Sequence, residues 1–113
     1  MTIGELADLL GAEICQDIFP DNQIHGAYAS DLLSDVMANA KGGALITIQA
    51  HRNTVAVAAM KKIPAIIVCN SRPVPRGMID AAREQGIAIL RSSESQFAVS
   101  GKVWEMLKEN SEA

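Results

Sequence analysis

Apolar residues recur in two different rhythms along this chain. At the start, Ile3, Leu6, Leu9 and Leu10 fall at the spacing of one helix face. Thr2 and Glu5 stand where a reciprocal N-terminal cap needs them, and Gly11 is a natural stop. A first helix is therefore predicted over residues 2–10, followed by a short strand over 12–15. Pro20, Asp21 and Asn22 mark the next segment, 16–23, as a polar turn. Residues 24–30 read as extended, and Ser34 or Asp35 offers a cap to a short helix through Met37, ended by Lys41-Gly42-Gly43.

From Ala44 onward the rhythm becomes regular. A β-rich run over 44–49 and continuous apolar runs over 65–69 and 87–90 alternate with helical stretches over 53–62, 75–85 and 93–108. Pro75 takes the favoured first position of its helix, Gly86 ends it, and Ser93 with Gln96 forms a second capping-box pattern. The tail from Asn110 is expected to fray. Strands that are apolar on both sides belong in a parallel sheet covered by helices on both faces. The expected architecture is a three-layer α/β fold with a mostly parallel sheet, filling residues 1–113 as one domain.

Composition narrows the function. Hydrophobic residues make up 49% of the 113 positions but aromatic ones only 4%, so the core is built of small aliphatic side chains suited to close helix-on-sheet packing. The net charge of −3 argues against a nucleic-acid binder or a ligand of anionic membranes, both of which need a cationic surplus. Neither a membrane-spanning run nor a basic leader precedes the first helix. Cys15 and Cys69 are far apart and lack any C-x-x-C partner, as expected of free, buried thiols in a reducing compartment; a cytoplasmic location follows.

Ligands of open α/β sheets gather beyond the carboxyl ends of the strands, where helix N-termini present unpaired N–H groups. After the three regular strands come His51-Arg52-Asn53, Asn70-Ser71-Arg72 and Arg91-Ser92-Ser93. Three of the chain's five arginines lie in these segments, with Arg76 just beyond. Guanidinium forks beside hydroxyl and amide groups suit a phosphate or carboxylate. Those nine residues are the candidate ligand-binding set, for a nucleotide or another phosphate-bearing anion. Plain capping roles for Asn53 and Ser93, and a solvent-exposed loop role for His51, are the competing reading. Asp31 and Asp35, four apart, could share a helix side and hold Mg²⁺, although ordinary capping explains them equally well. No metal ligand set, cofactor motif or catalytic residue is assigned. The phosphate loop G-x-x-x-x-G-K-[ST], the Rossmann glycine fingerprint and the nucleophile elbow are all absent, so a non-catalytic chain is expected.

The run from Ser30 through Lys41-Gly42-Gly43 into Ala44-Leu45-Ile46-Thr47-Ile48-Gln49, continued by Ala65-Ile66-Ile67-Val68-Cys69-Asn70, resembles the DRTGG domain family. The D-R-T-G-G string itself is missing; Gln49-Ala50-His51-Arg52-Asn53 occupies the corresponding loop. The resemblance implies a fold like the N-terminal domain of HPr kinase/phosphorylase, whose phosphotransfer chemistry belongs to a separate P-loop domain. It implies a regulatory role, as in family members found beside CBS domains. Short members resemble accessory proteins of iron-only hydrogenases, so a hydrogenase-related partner is the alternative expectation.

Two helices bear on self-association. Residues 53–62 carry little polar surface for a solvent-facing helix. The last helix aligns Phe97, Gly101 and Trp104 along one side, which reads first as a core face. Together they point to a homodimer.

Overall fold

A computed structural model describes the backbone of residues 1–112, and their side chains through residue 109. The elements run α1 (Ile3–Leu10), β1 (Glu13–Gln16), β2 (Ala27–Ala29), α2 (Leu33–Asn39), β3 (Ala44–Thr47), α3 (Arg52–Met60), β4 (Ala65–Val68), α4 (Arg76–Gln85), β5 (Ala88–Arg91) and α5 (Gln96–Glu112). The five strands form one sheet in the order β1-β5-β4-β3-β2. β2, β3, β4 and β5 are parallel, and only β1 runs the other way, closing the β5 edge.

The continuous apolar runs become the central strands because both of their faces are covered. Every residue of β3 and β4 is buried. Ile46, Ile67 and Leu90 point toward α1 and α5, where they meet Leu6, Val99 and Val103. Leu45, Ile66 and Ile89 point the other way, onto Val36 of α2, Val55 and Ala58 of α3, and Met78 and Ala82 of α4. Each fully buried Leu or Ile contributes about 1.5–3 kcal/mol through removal from water. On the α1/α5 side, Ala27, Ala44, Ala65 and Ala88 lie side by side across four strands. This row of methyl groups leaves the sheet shallow beneath the helices.

Local signals act as their chemistry requires. The Thr2 hydroxyl accepts from Glu5 N–H while the Glu5 carboxylate accepts from Thr2 N–H, and Gly11 ends α1 in the left-handed region at φ 63°. Gly86 ends α4 in the same way at φ 66°. Gly43, at φ 72°, enters β3 so close to Gly26 that a Cβ would lie 2.4 Å from the Gly26 carbonyl oxygen.

Several local expectations are corrected. The second capping box does not form: α5 is capped by Ser95, whose hydroxyl accepts from Ala98 N–H, because Ser92 and Ser93 continue the loop leaving β5. Asn53 does not cap α3; its own N–H is bound by the ring of His51, the true cap. Neither Ser34 nor Asp35 caps α2; both lie inside the helix, which begins after Leu32 with no side-chain cap. The last helix continues past Lys108 to Glu112, so Asn110 to Glu112 are helical; Ala113 lies outside the described residues. The side bearing Phe97 and Trp104 is not a core face: these rings are 90% and 68% exposed, and Val99 and Val103 take the buried side instead. No described helix is long and apolar enough to cross a membrane.

Candidate functional site

Parallel β3, β4 and β5 bring the three candidate segments to one edge of the sheet. Two of them are bonded directly to each other. Ser71 N–H donates to the Ser92 carbonyl at 2.9 Å, and Asn70 N–H to the Glu94 carbonyl at 2.9 Å. Asn70 and Ser71 adopt left-handed backbone at φ 60° and 52°, which turns their N–H groups toward the neighbouring loop.

Arg91 is the strut of this junction. Its Nε donates to the Arg72 carbonyl at 3.0 Å, its Nη2 to the Ser71 carbonyl at 2.7 Å, and its Nη1 reaches Glu13 at 3.4 Å. The sequence predicts an Arg91 fork that faces an anion; its donors are directed instead at two backbone carbonyls and a carboxylate. Ser92 is likewise internal, buried with its hydroxyl accepting from Glu94 N–H at 3.1 Å. Ser93, Asn70, Ser71 and Arg72 are exposed on the rim.

The third segment enters from the β3 side. His51 Nδ1 accepts from Asn53 N–H at 3.0 Å, leaving Nε2 toward solvent. Arg52 is exposed and lies against the first turn of α4, where a methyl at Gly77 would meet its Nη2 at 3.3 Å. That turn has no side-chain cap and no acid, and Arg52 forms no ion pair among the described residues. A cation at a helix N-terminus meets the positive end of the macrodipole, so the spot is electrostatically short of negative charge. Arg76 contributes a further cation, held loosely by Asp80 at 3.9 Å. Behind Arg52, a groove of about 350 Å³ between α3 and α4 carries Asp80 and Glu84 on its opposite wall.

Asp31 was the residue underrated by its sequence context. One oxygen, Oδ1, accepts from Ile48 N–H at 2.8 Å, Thr47 hydroxyl at 3.0 Å and the Gln96 amide at 3.0 Å. It ties β2, β3 and α5 together at the same edge. Its signal was its place directly after a parallel strand, the position that picked out the other three segments. Asp35 faces elsewhere, accepting from Tyr28 hydroxyl and Asn39 amide, each at 2.8 Å. The two carboxylates therefore do not form a Mg²⁺ pair, and among the described residues no three His, Cys, Asp or Glu side chains gather as metal ligands.

The cysteines show no activated chemistry. Cys69 is fully buried, and burial, reinforced by the negative charges of Asp31 and Glu94, pushes its thiol up to about 11. Burial also raises Cys15, which is half-buried. An activated nucleophile needs the opposite shift.

A second concavity lies on the far side of β2. Ala27 and Ala29 face α5 with only methyl groups, and no large side chain fills the angle between the edge strand and the helix. The result is an open groove of about 540 Å³ floored by Ile46 and Val103 and walled by Trp104, Leu107 and His25.

Comparison with known proteins agrees with this architecture. A chain from Clostridium perfringens, described as the CBS and DRTGG domains of the regulatory region of a pyrophosphatase complexed with its activator diadenosine tetraphosphate, superposes with a TM-score of 0.71 over 90% of this chain and 45% of its own, at 16% identity. At that identity the likeness concerns the fold. HPr kinase/phosphorylase from Streptococcus uberis is 46% identical over 43 residues, covering 38% of this chain and 14% of the enzyme. The chain thus corresponds to a small part of that relative's length. Residues 46–107, more than half of the 113, match the family described as HPr serine kinase N terminus. The end of β3, all of β4 and β5, and the rim that they carry lie within that match, and the chain belongs to the HPr serine kinase N-terminal domain family.

Proposed function

We propose that this chain is a non-catalytic regulatory module that binds a nucleotide or another phosphate-bearing anion at the carboxyl edge of its parallel strands, and that it works as a homodimer. The observation that carries the reading is Arg52 lying against the uncapped, acid-free first turn of α4. An anion between them would satisfy both the guanidinium and the helix dipole. His51, Asn53, Asn70, Ser71, Arg72 and Ser93 complete the exposed rim. Arg91 and Ser92 act beneath it by fixing loop geometry. The activator of the structurally similar pyrophosphatase region supports a nucleotide as the ligand class.

The test is thermal unfolding with inorganic phosphate, AMP, ATP and diadenosine tetraphosphate. A ligand at a hundred times its Kd stabilises the folded state by about 2.7 kcal/mol, a readily measured rise in Tm. Arg52→Ala should abolish the rise while leaving the unliganded Tm nearly unchanged, because its side chain is exposed and makes no ion pair among the described residues. If none of the four compounds moves the transition, the reading fails.

A second reading is favoured by the exposed Phe97 and Trp104. Here the chain is an accessory protein of a redox enzyme such as an iron-only hydrogenase and acts through protein contacts alone. Co-purification that is lost on replacing those two rings, with no response to any nucleotide, would support it.

A further inference from the structure

The chain has only four aromatic residues, and two of them stand on the outward side of one helix. Phe97, Gly101 and Trp104 follow a four-then-three spacing along α5, opposite the buried Val99, Val103 and partly buried Met106. This is the seam pattern by which one helix packs against another. Among the described residues nothing lies over its centre: beyond its own helix backbone, a Cβ added at Gly101 would meet nothing within 4 Å.

We infer that this face of α5 is a symmetric contact between two copies of the chain, with the helices crossing antiparallel at Ser100 and Gly101. The inference rests on the homodimer reading above and assigns its surface. A two-fold axis midway between Ser100 and Gly101 places Phe97 of each copy opposite Trp104 of the other. The smallest residues then lie at the crossing, where helix axes must approach most closely, and the aromatic pairs flank it on both sides. The same alignment brings Glu105 to the first turn of the second copy's α5. That turn contains no acid of its own, and its N-terminal end favours negative charge. Phe97 of the second copy also reaches the mouth of the groove beside β2, since Trp104 forms one wall of it.

The area fits a second copy. Aromatic side chains carry roughly 150–250 Å² each, so the exposed parts of Phe97 and Trp104 amount to about 300 Å² per chain. Doubled by symmetry, the four rings supply about half of the roughly 1,200 Å² at the lower end of stable interfaces. Ser100, Gly101 and the rim of the groove add to it from both sides.

Light scattering on the full chain at micromolar concentration tests the inference. The expected mass is twice the 12.0 kDa of one chain. Gly101→Gln, which has room within the protomer and a higher helix propensity, should return the mass of one chain with unchanged circular dichroism. Trp104→Lys should do the same. Because Trp104 is the chain's one tryptophan, its emission should shift to the red on dilution through the dissociation range. A wild-type chain that stays monomeric overturns both the homodimer reading and this surface. A dimer unchanged by Gly101→Gln and Trp104→Lys overturns the surface while leaving the homodimer reading intact.

Discussion

The guanidinium of Arg91, at the end of β5, holds the backbone carbonyls of Ser71 and Arg72 in the loop leaving β4. Hydrogen bonds from a charged donor are worth about 1.5–3 kcal/mol each, less where solvent reaches them, and Arg91 is about one-third exposed. Arg91→Ala should lower stability by about 2 kcal/mol in urea denaturation. Arg91→Lys should recover little of this, because a point-like ammonium cannot span both carbonyls. If Lys substitutes fully, the strut is not a two-point contact.

Asp31 should matter more than its partial exposure suggests. Asp31→Ala strips the acceptor shared by Ile48 N–H, Thr47 hydroxyl and the Gln96 amide. A loss of about 2–3 kcal/mol is expected from the donors left unsatisfied. Asp31→Asn, which keeps an oxygen in place, should lose less than half of that. Thermal or urea unfolding of the two variants decides it.

The entry to β3 has no room for a side chain. Gly43→Ala places a methyl against the Gly26 carbonyl and demands a left-handed conformation, so a loss of at least about 3 kcal/mol is expected. Gly26→Ala is the control, with open space around its Cβ and a backbone outside the left-handed region. The first should unfold at markedly lower urea, and the second at equal or higher urea than the wild type.

The Tyr28–Asp35 hydrogen bond gives the fold a pH dependence at both ends. The Tyr28 hydroxyl holds the Asp35 carboxyl below its ordinary range, helped by Ser30 and Asn39. A depressed carboxyl stabilises the fold above its unfolded pKa, and this is lost as pH falls through the lower folded value. The same bond raises the Tyr28 phenol, whose contribution is present below the unfolded tyrosine pKa and lost as pH rises through the folded one. Tyr28→Phe should therefore flatten both limbs of a stability-versus-pH curve and leave their shape elsewhere unchanged. Unaltered limbs would show that the bond is not maintained in solution.

Thiol reactivity should separate the two cysteines. Cys15 is half-buried and should react with an aromatic disulfide reagent under native conditions, though more slowly than a free thiol because its pKa is raised. Cys69, buried with its pKa near 11, should react only through unfolding, at a rate set by the opening equilibrium. Equal native rates would place Cys69 nearer the surface than its packing indicates.

Much of this molecule was legible because its strongest sequence signals are physically simple. The runs that became β3, β4 and β5 are apolar on both faces, which few environments other than a covered parallel sheet accept. Their shared direction then fixed which loops meet. What could not be read was the direction of individual side chains. Arg52, Arg72 and Arg91 look alike in sequence, but residue alternation along β5 and the twist of the loop after β4 aim Arg91 at backbone. Ser93 and Ser95 are both plausible caps, and the choice depends on where β5 releases the chain. The aromatic residues of α5 carry a core-like spacing, and spacing alone cannot tell an internal seam from an external one.

The two alanines that β2 turns toward α5 have an engineering consequence. Because two methyl groups, those of Ala27 and Ala29, line the strand side of the groove beside β2, it can be plugged from the strand side by larger residues there. Such a plug leaves the arginine-bearing rim untouched, since that rim is built from different loops. The two concavities are therefore separately addressable, and each can be silenced while the other reports.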